Sequence, residues 1–292
     1  MTFKGCGTAM VTPFQADGSL DEATLRKLVR RQIEAGIHFL VPCGTTGESP
    51  TLSRAEHLRV VEITVEECAG KIPVLAGCGG YNTAELVELA QQLEKIGADG
   101  LLSVTPYYNK PTSEGLYQHY LAIANATKLP IVVYSVASRT ARNVTPDELV
   151  RLAEIPNVIA VKEASGSIGQ MAQVCQRMPA DFAVLSGDDA VTLPLISLGG
   201  VGVISVVSNQ IPAEMAELCN LALAGDFAGA LAVHRKFHPL MEVNFCETSP
   251  GPVKYAMAKM GLCEEVYRLP MVPVAAASRA KVDAVLGGAG LL

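Results

Sequence analysis

Lys162 stands near the end of an apolar run, Val158-Ile159-Ala160-Val161-Lys162-Glu163-Ala164. Lysine is rare in such a setting, because taking an ammonium out of water is costly. Desolvation lowers the pKa of the amine, and a neutral amine can attack a carbonyl carbon to form a Schiff base. The same residue can instead be half of a structural Lys–Glu pair, or snorkel to the surface. Lys71, Lys95, Lys110 and Lys254 fall on expected loops or helices and lack this context.

Three further segments carry groups suited to a carbonyl substrate. Gly44-Thr45-Thr46-Gly47-Glu48-Ser49 sets two hydroxyls and adjacent backbone N–H groups between glycines, a small nest for a carboxylate. An ordinary polar turn uses the same residues, and no Gly-Lys-Ser/Thr follows to make a nucleotide loop. Thr105-Pro106-Tyr107-Tyr108-Asn109-Lys110-Pro111 offers two phenols, for proton transfer or for packing at an interface. Tyr134 closes another apolar run, and Arg139 and Thr140 follow it. Arg139 can clamp a substrate carboxylate or make a surface salt bridge.

Other chemistries find less support. His234 and His238 are four apart on an expected helix, but no glutamate adjoins the first, as a zinc-protease pair requires. Gly77-Cys78-Gly79-Gly80 lacks the third spaced glycine of a dinucleotide fingerprint, and no Gly-x-Ser-x-Gly elbow occurs. The net charge of −6 argues against a large phosphate-binding surface, so no nucleic-acid partner is expected. No apolar run reaches the ~18 residues of a membrane span. The segment Met1–Cys6 leads into a strand-like stretch without an apolar leader, and the eight cysteines are scattered. A cytoplasmic location with reduced thiols is expected.

The elements that must position these groups are short apolar runs: Thr8–Val11, Phe39–Pro42, Val74–Gly77, Leu101–Val104, Ile131–Tyr134, Ile159–Lys162, Ala183–Ser186 and Val203–Val206. They are too short for helices and alternate little, as strands buried on both faces should. Amphipathic helices separate them. Ser19-Leu20-Asp21-Glu22, Ser53-Arg54-Ala55-Glu56 and Thr145-Pro146-Asp147-Glu148 each read as a helix-capping box, and Gly36 and Gly70 as stops. Eight strand–helix units predict an α/β fold, a (β/α)8 TIM barrel over residues 1–223. Residues 224–292 are expected to form a helical appendage packed on it, with helices over Asp226–Met241, Pro250–Gly261 and Ala275–Leu286.

Taken in order at these strand ends, the motifs resemble those of the dihydrodipicolinate synthase and N-acetylneuraminate lyase family of class I aldolases. The likeness rests on Gly44–Ser49, Thr105–Pro111, Tyr134 with Arg139-Thr140, Val161-Lys162-Glu163, Ser186-Gly187-Asp188-Asp189 and Gly199–Ser205. It implies a lyase that binds pyruvate as an imine on Lys162, with no other cofactor and no metal. Thr45 and Thr46 would hold the pyruvate carboxylate, and Ile204 would join the substrate-binding set. Tyr134 would be the general acid/base. Thr45 and Tyr108 would extend a proton relay, with Tyr108 supplied by a neighbouring subunit of a homotetramer, a dimer of dimers. Arg139 would bind the second substrate, aspartate semialdehyde, on the route to lysine and diaminopimelate. A sister aldolase or hydratase acting on a sugar acid or another 2-oxo acid is the alternative. The resemblance also implies an allosteric lysine site at Ser49, His57, Glu85 and Tyr107. The chain departs from the family pattern at Ser135 and Ala137, where asparagine and proline are usual, and at Tyr81, where asparagine is usual.

Overall fold

A computed structural model describes residues 3–292. The apolar runs form eight strands: β1 (Gly5–Ala9), β2 (Phe39–Val41), β3 (Leu75–Gly77), β4 (Gly100–Val104), β5 (Ile131–Ser135), β6 (Val158–Glu163), β7 (Ala183–Ser186) and β8 (Gly202–Ser205). Between and after them come α1 (Glu22–Glu34), α2 (Arg54–Cys68), α3 (Thr83–Ile96), α4 (Ser113–Ala126), α5 (Ala137–Thr140), α6 (Pro146–Leu152), α7 (Ile168–Arg177), α8 (Thr192–Ser197) and α9 (Pro212–Leu223). The last three helices are α10 (Phe227–Val243), α11 (Gly251–Lys259) and α12 (Ala276–Ala289). Every ladder is parallel, in the order β2-β1-β8-β7-β6-β5-β4-β3. A parallel bridge between Leu40 and Val74 closes the ring, and the Leu40 N–H donates to the Pro73 carbonyl at 2.9 Å. The chain is thus a (β/α)8 barrel with further helices at its C-terminal end.

Alternation along the strands sorts side chains into two layers. Val132 and Tyr134 of β5, Ala160 of β6, Leu185 of β7 and Ile204 of β8 point into the barrel with Phe39 and Val41 of β2. Their neighbours Val133, Val161, Val184 and Val203 point outward into the core shared with the helices. Phe3 and Phe39 pack ring to ring at 5.3 Å and help fill the interior. By the same alternation Lys162, two residues after Ala160, faces inward.

Two local expectations need correction. β1 runs from Gly5 to Ala9 rather than from Thr8 to Val11. Its glycines carry no hydrophobic signal, yet a Cβ at Gly7 would lie 2.1 Å from the Phe39 ring, so only glycine fits there. Ser19 does not cap α1. Leu20 is held in an antiparallel bridge to Phe14, and the Ser19 hydroxyl donates to Asp17. Asp21 is the cap, accepting from the Thr24 N–H at 3.0 Å. The boxes at Ser53 and Thr145 form with both reciprocal bonds. No helix among the described residues is long and apolar enough to cross a membrane.

β2 and β3 approach closely because Gly77 ends β3. Its N–H donates to the Pro42 carbonyl at 2.9 Å, and an added Cβ would lie 2.0 Å from the Cys43 carbonyl oxygen. Gly77→Ala should therefore destabilise the barrel by about 3 kcal/mol, as overpacking against immovable backbone does. Thermal unfolding checks this, and an unchanged midpoint would mean that the β2–β3 seam does not need the close approach.

Candidate active site

Lys162 is inward-facing and only 5% exposed. In the β5–β6 ladder its register partner is Tyr134, also inward-facing, and the Lys162 Nζ lies 4.2 Å from the centre of the Tyr134 ring. Burial lowers the lysine pKa from an ordinary 10.5 to about 8. The negative charge of Asp189 pulls it upward, and the positive charge of Arg139 pushes it down. The amine is therefore available in its neutral, nucleophilic form near physiological pH.

Asp189 follows β7 and is 1% exposed. Its Oδ2 accepts from the N–H groups of Val206 and Val207 at 3.0 and 2.8 Å, while Oδ1 is buried without a partner. Burial raises its pKa to about 6, against the nearby Ser205 hydroxyl and the two backbone amides. In the sequence Asp189 belongs to the Ser186-Gly187-Asp188-Asp189 motif, which by itself points to no role for it. Its place in the turn that follows the apolar β7 was the available signal.

The strands open at their C-terminal ends into a cavity of about 520 Å³, the face where such barrels place their sites. Thr45, Thr46, Tyr134, Arg139 and Lys162 all line it, so the structure brings five of the expected residues together. The Thr45–Thr46 turn is tight: the Gly47 N–H donates to Gly44 O and the Glu48 N–H to Thr45 O, each at 3.1 Å. The Thr12 hydroxyl secures it from below, donating to Gly47 O at 2.7 Å. Burial raises the pKa of the Tyr134 phenol, and the Arg139 charge and the Thr45 side chain pull it back. Such a phenol keeps its proton at neutral pH and can donate it.

Arg139 sits on the short helix α5, and its Nη2 donates to Ser249 O at 3.2 Å. Phe245, Glu247, Thr248 and Ser249 form part of the same cavity wall. They lie after α10 and not at a strand end, so no sequence pattern marks them. The unusual Ser135 is fully buried, and its hydroxyl accepts from the Val144 N–H at 3.2 Å, pinning the far end of the Arg139 loop.

The other expected residues lie elsewhere. Ile204 is fully buried in the inner layer below the cavity, and Val206 takes the lining position on that strand end. Tyr108 is 87% exposed, with a left-handed φ of 60°, and does not line the cavity. Its neighbour Tyr107 lines an adjoining cavity of about 230 Å³ together with Thr45, Tyr134 and Arg139. Ser49, His57, Glu85 and Tyr107 converge on a third cavity of about 330 Å³, which Tyr81 also lines. Tyr81 meets Tyr107 edge-on at 5.1 Å. The His57 Nε2 lies 2.8 Å from Gly77 O, and burial lowers its pKa to about 4, so the ring is neutral at pH 7 and donates to that carbonyl.

A parallel barrel with a buried, neutral-prone lysine at the end of its sixth strand, beneath hydroxyls and an arginine, defines an imine-forming lyase of the class I aldolase type. The chain belongs to the dihydrodipicolinate synthetase family, whose model matches residues 2–289. A relative from Koribacter versatilis, named 4-hydroxy-tetrahydrodipicolinate synthase, is 55% identical over 293 residues, covering 100% of this chain and 98% of its own. The dihydrodipicolinate synthase structure from Thermotoga maritima matches at a TM-score of 0.98 and 46% identity, covering 100% of both chains. That of the Acinetobacter baumannii enzyme, solved with pyruvate, matches at 0.98 and 42% identity, again covering 100% of both.

A lysine with a pKa of about 8 makes a pH prediction. The reactive fraction is the neutral amine, so the rate at which a 2-oxo acid forms a borohydride-trappable imine should rise with pH and level off above about 8. Asp189→Asn removes the charge that helps Lys162 keep its proton and should move the inflection to lower pH. A wild-type inflection near 10.5 would contradict the desolvated amine.

Proposed function

We propose that the chain catalyses the 4-hydroxy-tetrahydrodipicolinate synthase reaction, condensing pyruvate with aspartate semialdehyde. The observation that carries this reading is the buried Lys162 amine beside Tyr134 at the floor of a cavity that also holds Thr45, Thr46 and Arg139. Neutral Lys162 attacks the pyruvate keto carbon, and the carbonyl oxygen leaves as water. The protonated imine then draws electrons from the methyl carbon, which loses a proton to give an enamine. The enamine carbon adds to the aldehyde carbon, whose oxygen takes up a proton. The amine of the semialdehyde finally displaces Lys162 at the former keto carbon and closes the ring. The imine is the electron sink, so the sequence needs no resident cofactor.

In this reading Thr45 and Thr46 hold the pyruvate carboxylate through hydroxyl and backbone N–H, and Tyr134 passes protons at the imine. Arg139 holds the carboxylate of the semialdehyde. Tyr108 acts in the site of a neighbouring copy, which its exposure beside the cavity-lining Tyr107 supports. That role requires at least a dimer, and we extend it to a homotetramer built from two such dimers. The convergence of Ser49, His57, Glu85 and Tyr107 on one cavity supports a lysine-binding regulatory site, with Tyr81 in its wall. The eight free cysteines support a reducing, cytoplasmic setting. Residues 224–292 are read as an appendage to the barrel rather than a second catalytic unit.

Borohydride reduction with pyruvate should leave a stable adduct on Lys162, located by peptide mass mapping. An adduct elsewhere, or none, would remove the mechanism. Arg139→Ala should still form the adduct while losing about 10- to 100-fold in kcat/KM for aspartate semialdehyde, the worth of a charged hydrogen bond. Equal loss with pyruvate trapping would reassign Arg139, and efficient turnover of a sugar acid in place of the semialdehyde would favour the sister-aldolase reading.

A further inference from the structure

Lys254 was expected to be an unremarkable helix lysine, yet it is fully buried. Its Nζ donates to Glu48 Oε1 at 2.6 Å, and both side chains are sealed from solvent, at 0% and 1% exposure. The Phe14 ring lies 4.2 Å from the same ammonium. Glu48 belongs to the turn that presents Thr45 and Thr46 to the cavity, and its backbone is left-handed, with φ of 53°. L-residues rarely hold that conformation unless the surroundings impose it. The Glu48 carbonyl accepts from the N–H and the hydroxyl of Thr51, both at 2.9 Å, while its side chain reaches inward to Lys254. A second cation of the C-terminal segment grips the far side of the turn: Arg268 Nη1 donates to Thr51 O at 2.9 Å and to Glu56 Oε2 at 3.0 Å.

A buried ion pair contributes little stability over a matched apolar pair, because desolvation offsets the attraction. What it adds is direction: a 2.6 Å bond between fixed groups sets a position that apolar packing leaves looser. This one spans 206 residues of sequence. We propose that Glu48–Lys254 is a strut through which α11 positions the Thr45–Thr46 turn, so that the C-terminal segment sets the affinity for the 2-oxo acid. Neither residue lines the cavity of about 520 Å³, so both are positioning residues. The proposal rests on the reading of Thr45 and Thr46 as the pyruvate carboxylate site.

The test uses the full chain with the variants Lys254→Met, Glu48→Gln and the two combined. Lys254→Met should raise the KM for pyruvate at least tenfold, with the KM for aspartate semialdehyde unchanged within twofold and kcat lowered less than threefold. Glu48→Gln keeps an oxygen to accept the lysine proton and should raise the pyruvate KM less than threefold. If Lys254→Met does not fold, the double variant, which buries no unpaired charge, carries the same expected tenfold rise. A pyruvate KM unchanged in the double variant, or a fall in melting temperature alone, would overturn the strut. Borohydride trapping separates this from the underlying reading. Wild-type protein without a Lys162 adduct overturns both, whereas an adduct that saturates at the same pyruvate concentration in wild type and variants overturns the strut only.

Discussion

The site depends on keeping an amine out of water. Lys162 lies inside a barrel whose other inward residues are mostly aliphatic or aromatic, and the loss of hydration brings its pKa from an ordinary 10.5 to about 8. Since each pKa unit is a factor of ten, this raises the neutral fraction near pH 7 by roughly 300-fold. Burial and the Arg139 charge alone would carry the pKa further down. Asp189 provides the counterweight: a sealed carboxylate, fixed by two backbone amides, with one oxygen left unpaired. The poise of the amine is thus set first by burial, then by one acid beyond the next strand and one arginine on the rim.

Geometry follows from the parity of the strands. Because the side-chain period is two, the residues that share the interior with Ala160 and Val132 are Lys162 and Tyr134, and parallel pairing sets them side by side. A one-residue slip of β6 would turn Glu163 inward and Lys162 out into the helix layer. The register is held one strand further on by Lys162–Leu185 and Glu163–Ser186 pairing in the β6–β7 ladder. The Thr45–Thr46 turn is a loop, without such a ladder, and is secured instead from Thr12 below and from the C-terminal segment behind.

This division explains which parts were legible in the sequence. Lys162 and Tyr134 end apolar strands, and a polar group in that place is conspicuous without tertiary information. The strand count and the caps at Ser53 and Thr145 are equally local. Lys254 was not legible, because in Pro252-Val253-Lys254-Tyr255-Ala256-Met257 it reads as one cation on a short helix; only the fold reveals a carboxylate 206 residues away. Phe245–Ser249 carry no motif and reach the cavity only because α10 and α11 pack on the barrel. Ser19 matched a capping pattern, but the Phe14–Leu20 bridge had already committed its backbone to a turn. Tyr108 points to solvent in the single chain, and the role proposed for it calls for a second molecule.

The helices beyond the barrel therefore reach both ends of the cavity. Through Glu48 they hold the turn proposed for the 2-oxo acid, and through Ser249 they hold Arg139, proposed for the aldehyde. Lys162 itself is carried by β6, where its register partners are Tyr134 on β5 and Leu185 on β7. Changes at Phe245, Glu247, Thr248 or Ser249 thus alter the cavity wall beside Arg139, whereas changes on β5 or β6 reach Tyr134 and Lys162 directly. The Ser135 departure acts on the first kind of freedom: it lies on β5 but points away from the cavity, and its hydroxyl holds Val144 rather than a substrate. The loop that carries Arg139 is consequently anchored at one end by the barrel wall and at the other by Ser249. The position of the arginine is the joint product of two segments more than one hundred residues apart.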